Sequence, residues 1–423
     1  MPPPLRIAHV STRLILGGSQ ENTVLSCEGQ ASAGHEVHLV FGPIYGPEGS
    51  LLDRVRNFRT ADGRTIATHE SPHLIRAVHP WHDACASRDL RRLLLDLRPD
   101  VVHTHSSKAG VIGRWAAWGL RRAAGGPVAV VHTIHGPPFH GFQNALVRRG
   151  YIAAERFAAR RCHAIVSVAD AMTRQYLDAG IGRPEQYVTV YSGMETGPFL
   201  DAQPGESGPE VRARLGIPAD RFVIGTVARL ADLKGHDDLL HALGPELRRN
   251  PAWAMLWVGD GWRRSRLIAA AAAMNLRIAE LDRGAASEAE VRIAQVIITG
   301  LVPPERIAGL MRSMDVLVHP SYREGLPRTV PQALLCGVPV VASDADGTPE
   351  ACIDGRTGRL FPVGDRAALA SAVRWTAEDP ARARLLAAEG RALCRERFSA
   401  ERMVADLQRV YDAVLAGRAP ADT

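Results

Sequence analysis

Residues 316–350 read VLVHPSYREGLPRTVPQALLCGVPVVASDADGTPE. Val316, Leu317 and Val318 form an apolar run of the kind a buried parallel strand needs, and the run ends at His319 and Pro320. A polar loop follows. Pro327 and Pro331 bracket the start of a helix, because proline is accepted in a first turn whose N–H groups have no intrahelical partner. Cys336 and Gly337 stop that helix, and Val338, Pro339, Val340 and Val341 open a second buried strand. The unit is strand, loop, helix, strand, with its polar residues gathered where the first strand hands over to the helix. Open α/β sheets bind ligands at that edge. Glu324 sits there, followed by Gly325 and Leu326, whose backbone N–H groups can turn toward an anion or a sugar oxygen.

The same alternation runs outward in both directions. Toward the N-terminus, strand-like runs fall at 5–10, 36–41, 101–104, 128–133, 164–168 and 187–191, with helical segments between most of them. A second series falls at 222–227, 255–258, 296–299, 316–318, 338–342 and 359–361. The fold class is therefore α/β, with two doubly wound parallel sheets of Rossmann type facing a central cleft. The expected boundaries are an N-terminal domain over 1–195, a linker over 196–220 rich in Gly, Pro, Asp and Glu, and a C-terminal domain over 221–396. A last helix occupies 397–423. At 423 residues the chain is long enough for two such domains.

Composition narrows the functional classes. Apolar residues make up 46% and charged residues 23%, as in a globular protein with ample core. No apolar run reaches the roughly 18–20 residues that a membrane-spanning helix needs. The first residues, MPPPLRIAHV, enter a strand directly and lack the apolar region of a signal peptide. The six cysteines are scattered with no CxxC pair, which points to reduced thiols in a cytoplasm. The net charge of +6 lies in the first 200 residues, which hold 22 basic and 16 acidic side chains; the rest balance at 29 of each. Much of that excess is Arg148, Arg149, Arg156, Arg160 and Arg161, in a helical segment over 144–162. Such a face suits an anionic membrane surface or a phosphate-bearing lipid, and a solvated helix face accounts for the same charges. Nucleic acid is not expected, because Tyr151 and Phe157 fall among these arginines at a spacing that reads as core.

Several residues at strand ends carry candidate chemistry. Gly17 and Gly18 open the first helix, where a phosphate can approach the backbone closely. Arg229 and Lys234 follow the first strand of the second series and put two cations near its C-terminal end; Lys108 and Lys234 are the only lysines among 49 arginines. Cations so placed stabilise a leaving diphosphate. His103, His105, His132 and His135 recur at two strand ends. Metal ligation is disfavoured there, since the nearest carboxylate in sequence, Asp100, lies at the opposite end of its strand. Hydrogen bonding to substrate hydroxyls fits neutral imidazole better. Asp344-Ala345-Asp346 spells DxD and reads as a turn.

Taken together these strings resemble the retaining glycosyltransferases of family 4, and most of all the branch that assembles bacterial exopolysaccharide and lipopolysaccharide. The matching stretches include LGGSQENTV at 16–24, PDVVHTHSSKAGVIGRWAA at 99–117, VVHTIHGPPFH at 130–140, GTVARLADLKGHDDLL at 225–240, WVGDG at 257–261 and the long run from 298 to 350. The resemblance implies a GT-B fold and a hexosyltransferase. Its nucleotide-sugar donor would be a UDP- or GDP-sugar, its acceptor a lipid-diphosphate-linked or other saccharide, and no cofactor or metal would be required. By the family pattern Arg229 and Lys234 hold the donor diphosphate, and Gly17 and Gly18 close over it. Glu324 contacts the transferred sugar, while Gly325, Leu326, Pro327 and Thr329 contact sugar and phosphate. His135 stands near the reacting sugar as a second catalytic residue, His105 and Lys108 are acceptor-side candidates, and the last helix crosses back to the N-terminal domain. The implied location is the cytoplasm, peripherally at the inner face of the plasma membrane.

The sequence also departs from that pattern. Gln332 stands where the family has a second glutamate that accepts hydrogen bonds from the donor ribose; an amide keeps an acceptor oxygen but loses the charge-assisted bond. Residues 277–295 read as an extra surface helix. Two other readings compete with transfer: a GT-B protein that binds sugar nucleotides or glycans without turnover, for which Gln332 is the hint, and a GT-B sugar-nucleotide epimerase, whose paired acid and base carboxylates are not found.

Overall fold

The structure is a computed structural model and describes residues 3–45, 49–283 and 286–420. The chain divides into two compact units, Met1–Met194 together with Ser399–Thr423, and Glu195–Phe398. In the first unit the strands are β1 (Arg6–Ser11), β2 (Glu36–Phe41), β3 (Ile66–Glu70), β4 (Val101–His105), β5 (Ala129–Ile134), β6 (Ala164–Ser167) and β7 (Tyr187–Thr189). They form one parallel sheet in the order β3-β2-β1-β4-β5-β6-β7. The order reverses between β1 and β4, and the register there sets His9 beside His103. Both faces of the sheet are covered, so β1, β4 and β5 are buried along nearly their whole length, including at the polar residues His9, His103, His105 and His132.

One face of that sheet is closed by the end of the chain. Helix Ala400–Leu415 opens on Ser399, whose hydroxyl accepts the Arg402 N–H. It buries Met403, Leu407, Val410 and Tyr411 against Ile7, Leu25, Val101 and Val131. Burying four such side chains stabilises the unit by roughly 6–12 kcal/mol before chain entropy is counted.

The second unit holds β8 (Phe222–Val227), β9 (Trp253–Val258), β10 (Ile278–Glu280), β11 (Val296–Ile298), β12 (Val316–His319), β13 (Val340–Ser343) and β14 (Arg359–Phe361). They form a second parallel sheet, β10-β11-β9-β8-β12-β13-β14, whose order reverses between β8 and β12. The strand, loop, helix and strand read from residues 316–350 are β12, the loop 320–328, helix Thr329–Leu335 and β13. Two parallel seven-stranded sheets of this kind are the doubly wound α/β class expected from the sequence.

Three expectations are corrected. The stretch 196–220 is not an open linker: it carries helices Gly197–Leu200 and Gly208–Leu215 and belongs to the second unit. Ser207 and Glu210 cap the second helix reciprocally, and Val211 is fully buried. Residues 277–295 are not simply a surface helix. They supply edge strand β10 and the six-residue helix Glu288–Ile293, and buried Arg264 ties the segment down through Glu280 at 2.6 Å and Asp282 at 2.6 Å. Residues 284–285 lie outside the described residues. Finally, Tyr151 and Phe157 on helix Ala145–Ala159 are exposed, not core, because that helix buries Glu155, Ala158 and Ala159 instead. All six cysteines are free, and among the described residues no helix is long and apolar enough to cross a membrane.

Candidate functional site

In the second unit the chemistry collects at the carboxyl ends of β8 and β12, where the strand order reverses. The loops after these strands are stitched together. The Tyr322 N–H donates to the Leu233 carbonyl at 2.8 Å, and the Ser321 hydroxyl donates to the same oxygen at 3.2 Å. Gly235 has φ +74, and a Cβ there would lie 1.9 Å from the Pro320 carbonyl oxygen, so the close approach of the two loops requires glycine. On the other side the Gly347 N–H donates to the Gly325 carbonyl at 3.1 Å. Asp346, at φ +46, accepts the Glu324 N–H at 2.8 Å. The DxD-like turn after β13 thus fixes the backbone of the β12 loop.

Glu324 is held at the centre. Its Oε1 accepts from Lys234 Nζ at 2.6 Å and lies 3.1 Å from His319 Nε2. His319 Nδ1 is in turn 3.2 Å from the Thr329 hydroxyl. Burial by itself would raise the Glu324 carboxyl, but the Lys234 charge and the His319 hydrogen bond outweigh it and hold the group well below the usual carboxylate range. An ionised carboxylate with a cation on one oxygen can take a hydroxyl donor on the other. The N–H groups of Gly325, Leu326 and Thr329 have no protein acceptor among the described residues. Gln332 is half-buried, and its amide makes no side-chain hydrogen bond among them either.

Of the residues singled out from sequence, the structure brings Lys234, Glu324 and Thr329 into one connected cluster through His319. Gly325, Leu326, Pro327 and Gln332 are on the same loop and helix. Arg229 stands apart from that cluster: it is exposed and lies over the Trp262 ring at 6.0 Å. The sequence alone assigns no role to His319 or Asp346, although His319 ends β12.

The first unit has its own group at the reversal between β1 and β4. The loops after these strands join where Thr12 Oγ1 meets Ser106 Oγ at 2.8 Å, with Ser106 at φ +61. His105 at the end of β4 is fully buried, and its Nδ1 lies 3.1 Å from Nε2 of His135, which follows β5 and is half-buried. Gly17 and Gly18 begin helix Gly18–Ser32 on the exposed side of the β1 loop. Lys108 does not join His105; its Nζ pairs with Asp83 at 2.5 Å and donates to the Ala77 carbonyl. His9, His103 and His105 have ring nitrogens within 4.8 Å of one another. All six of those nitrogens already have protein partners: His9 with His105 and Gln30, His105 with His9 and His135, and His103 with Tyr411 and Thr133. Burial, the largest influence, pulls His9 down to about 4 and His103, His105 and His132 well below the usual imidazole value, so these rings are neutral.

Comparison with known proteins agrees with this division. A family model described as glycosyl transferases group 1 matches residues 221–379, and one described as a glycosyl transferase 4-like domain matches residues 17–193. A D-inositol 3-phosphate glycosyltransferase of Acidothermus cellulolyticus is 29% identical over 334 residues, covering 77% of this chain and 69% of that protein. A UDP-Gal:alpha-D-GlcNAc-diphosphoundecaprenol alpha-1,3-galactosyltransferase of Escherichia coli is 27% identical over 354 residues, covering 81% of this chain and 80% of that protein. Among solved structures, Anabaena HepE in complex with UDP and glucose superposes with a TM-score of 0.76 at 19% identity, covering 97% of this chain and 100% of the other. Matched in both of its units, this chain is a glycosyltransferase of the GT-B fold and belongs to the group 1, family 4-like glycosyl transferases.

Proposed function

We propose that this chain transfers a hexose from a nucleoside-diphosphate sugar to a saccharide carried on a lipid diphosphate, with retention of anomeric configuration, in bacterial cell-surface polysaccharide synthesis. The observation that carries the reading is the ionised Glu324 held between Lys234 and His319 at the strand reversal of the second unit. The UDP and glucose bound in the Anabaena protein and the diphosphoundecaprenol acceptor named for the Escherichia coli enzyme support the two substrate classes.

Glu324 accepts hydrogen bonds from hydroxyls of the sugar being moved. Lys234 and Arg229 meet the diphosphate, and the free N–H groups of Gly325, Leu326 and Thr329 add donors beside it. Gln332 faces the ribose with a neutral amide oxygen. Gly17 and Gly18 give phosphate access to backbone, and His135 bonds to the reacting sugar. The acceptor hydroxyl attacks on the face from which the diphosphate leaves. The anomeric C–O bond breaks as the new one forms, and the hydroxyl proton passes to a departing phosphate oxygen. Charge on the leaving group is met by the two cations and the backbone donors, so the reading assigns no step to a metal ion.

Helix Ala145–Ala159 supports contact with an anionic membrane surface. It exposes Leu146 at 75% and Val147 at 51% beside Arg148 and Arg149. Arg156 and Arg161 are otherwise engaged, the first with the Ala179 carbonyl at 2.9 Å and the second over the Trp115 and Phe157 rings.

The test is nucleotide release by the purified chain with a panel of UDP- and GDP-sugars and a polyprenyl-diphosphate saccharide, with and without EDTA. Release with one donor, insensitive to EDTA, is expected. Donor binding without any release would favour the non-catalytic reading that Gln332 raises.

A further inference from the structure

A buried hydrogen-bond chain in the first unit leads away from His135. His135 Nε2 lies 3.1 Å from His105 Nδ1, His105 Nε2 lies 2.9 Å from His9 Nδ1, and His9 Nε2 lies 2.7 Å from Gln30 Oε1. Beyond it, Gln30 Nε2 donates to the Tyr411 hydroxyl at 3.1 Å, and that hydroxyl lies 2.6 Å from His103 Nδ1. The chain thus starts on the C-terminal helix and crosses β1 and β4 to reach the residue after β5. Gln30, His9, His105 and Tyr411 are all essentially inaccessible to solvent.

We propose that Gln30 and Tyr411 are positioning residues that set the direction of this chain and so hold His135 in the tautomer protonated on Nε2, leaving Nδ1 as an acceptor. The inference rests on the reading of His135 as a group that bonds to the reacting sugar. A neutral imidazole donates through one nitrogen and accepts through the other, so a direction imposed at one end passes through each ring in turn. Gln30 imposes it. The amide oxygen can only accept, so His9 carries its proton on Nε2 and accepts at Nδ1 from His105 Nε2; His105 then accepts at Nδ1 from His135 Nε2. Tyr411 contributes the acceptor for the other end of the amide: its hydroxyl takes the Gln30 N–H at 3.1 Å and gives its own proton to His103 Nδ1. His103 Nε2 then donates to the Thr133 hydroxyl at 2.7 Å, which ends that branch. A reversed amide would reverse every bond and place the His135 proton on Nδ1. The burial that keeps His9 and His105 neutral removes the imidazolium form, in which both nitrogens donate and the direction is lost.

His135 in the acceptor tautomer takes a hydrogen bond from a sugar hydroxyl; in the other it competes as a donor. A wrong tautomer at a histidine that acts directly on the reaction can lower kcat by up to roughly ten-thousandfold in other enzymes. A loss of about tenfold or more is expected here.

The experiment uses the full chain with 15N-labelled histidine and compares the wild type with Gln30→Met and Tyr411→Phe. Long-range proton–nitrogen correlation reads which His135 nitrogen carries the proton, and steady-state transfer gives kcat and KM. The expected result is an Nε2-protonated His135 in the wild type, an added Nδ1-protonated population in the variants, and a kcat loss with donor KM within about twofold. A wild-type His135 protonated on Nδ1, or Gln30→Met leaving the tautomer unchanged, overturns the proposal. Where Gln30→Met fails to fold, Tyr411→Phe carries the comparison, and an unchanged tautomer there overturns the proposal in the same way. A tautomer shift with unchanged kcat would uphold the chain and remove His135 from the reaction, so the two claims fail separately.

Discussion

Lys234→Met isolates the ion pair on which the donor site is built. The pair is 2.6 Å long, with the Glu324 side chain 14% exposed and that of Lys234 30% exposed. Removing one partner of a fully buried pair costs about 3–5 kcal/mol, and the partial exposure of Lys234 screens this to about 2 kcal/mol. For a unit of this size that corresponds to a fall of about 4–8 °C in Tm. The loss should depend on pH. Glu324 is depressed below its unfolded value of 4.5, so the stability it contributes is present above about pH 4.5 and is lost as pH falls through the folded value. In Lys234→Met the opposing burial is balanced by His319 alone and the carboxyl rises. The gap between wild type and variant is therefore full at pH 7 and narrows below about pH 4.5. Urea unfolding of wild type, Lys234→Met, Glu324→Gln and the double variant measures the coupling directly, with about 1 kcal/mol or more expected. A Lys234→Met protein that melts with the wild type at pH 7, or additive single effects, would mean that the Lys234–Glu324 pair does not stabilise the unit.

Other expectations follow from the same geometry. Gln332→Glu should tighten nucleotide binding, read by calorimetry with UDP and GDP, because it restores a charge-assisted acceptor; weaker binding would show that the amide is matched to its ligand. Glu155→Ala leaves the Arg114 guanidinium buried without the carboxylate 2.7 Å away and should cost about 3–5 kcal/mol in urea unfolding; a cost below about 1 kcal/mol would mean the pair is dispensable. Sedimentation with anionic vesicles should fall as salt rises, and Arg148→Glu/Arg149→Glu should weaken it further. Salt-insensitive binding would assign the contact to Leu146 and Val147 alone.

Much of this architecture is legible in the sequence, for physical reasons. β12 and β13 are apolar because both sheet faces are covered, and the two prolines and Gly337 mark the helix between them. What sequence cannot show is pairing across distance. Lys234 and Glu324 are 90 residues apart, and only the parallel register of β8 and β12 brings their loops together. His103 and Tyr411 are 308 residues apart, so the chain that ends at His135 has no local signature. Other misses were local and recoverable. Ser207 and Glu210 spell a capping box inside a stretch whose composition reads as linker. Tyr151 and Phe157 sit at core spacing, but the buried Glu155–Arg114 pair turns a different stripe inward. His319 ends the decisive strand, and a histidine at the switch edge beside a loop glutamate was itself the signal.

In the proposed function Glu324 serves the transferred sugar and not merely the fold. Transfer by Glu324→Gln, measured as nucleotide release with the donor that the wild type uses, tests it most directly. A loss of about a hundredfold or more in kcat is expected, with UDP or GDP affinity retained within a few-fold. Wild-type turnover in Glu324→Gln would contradict it.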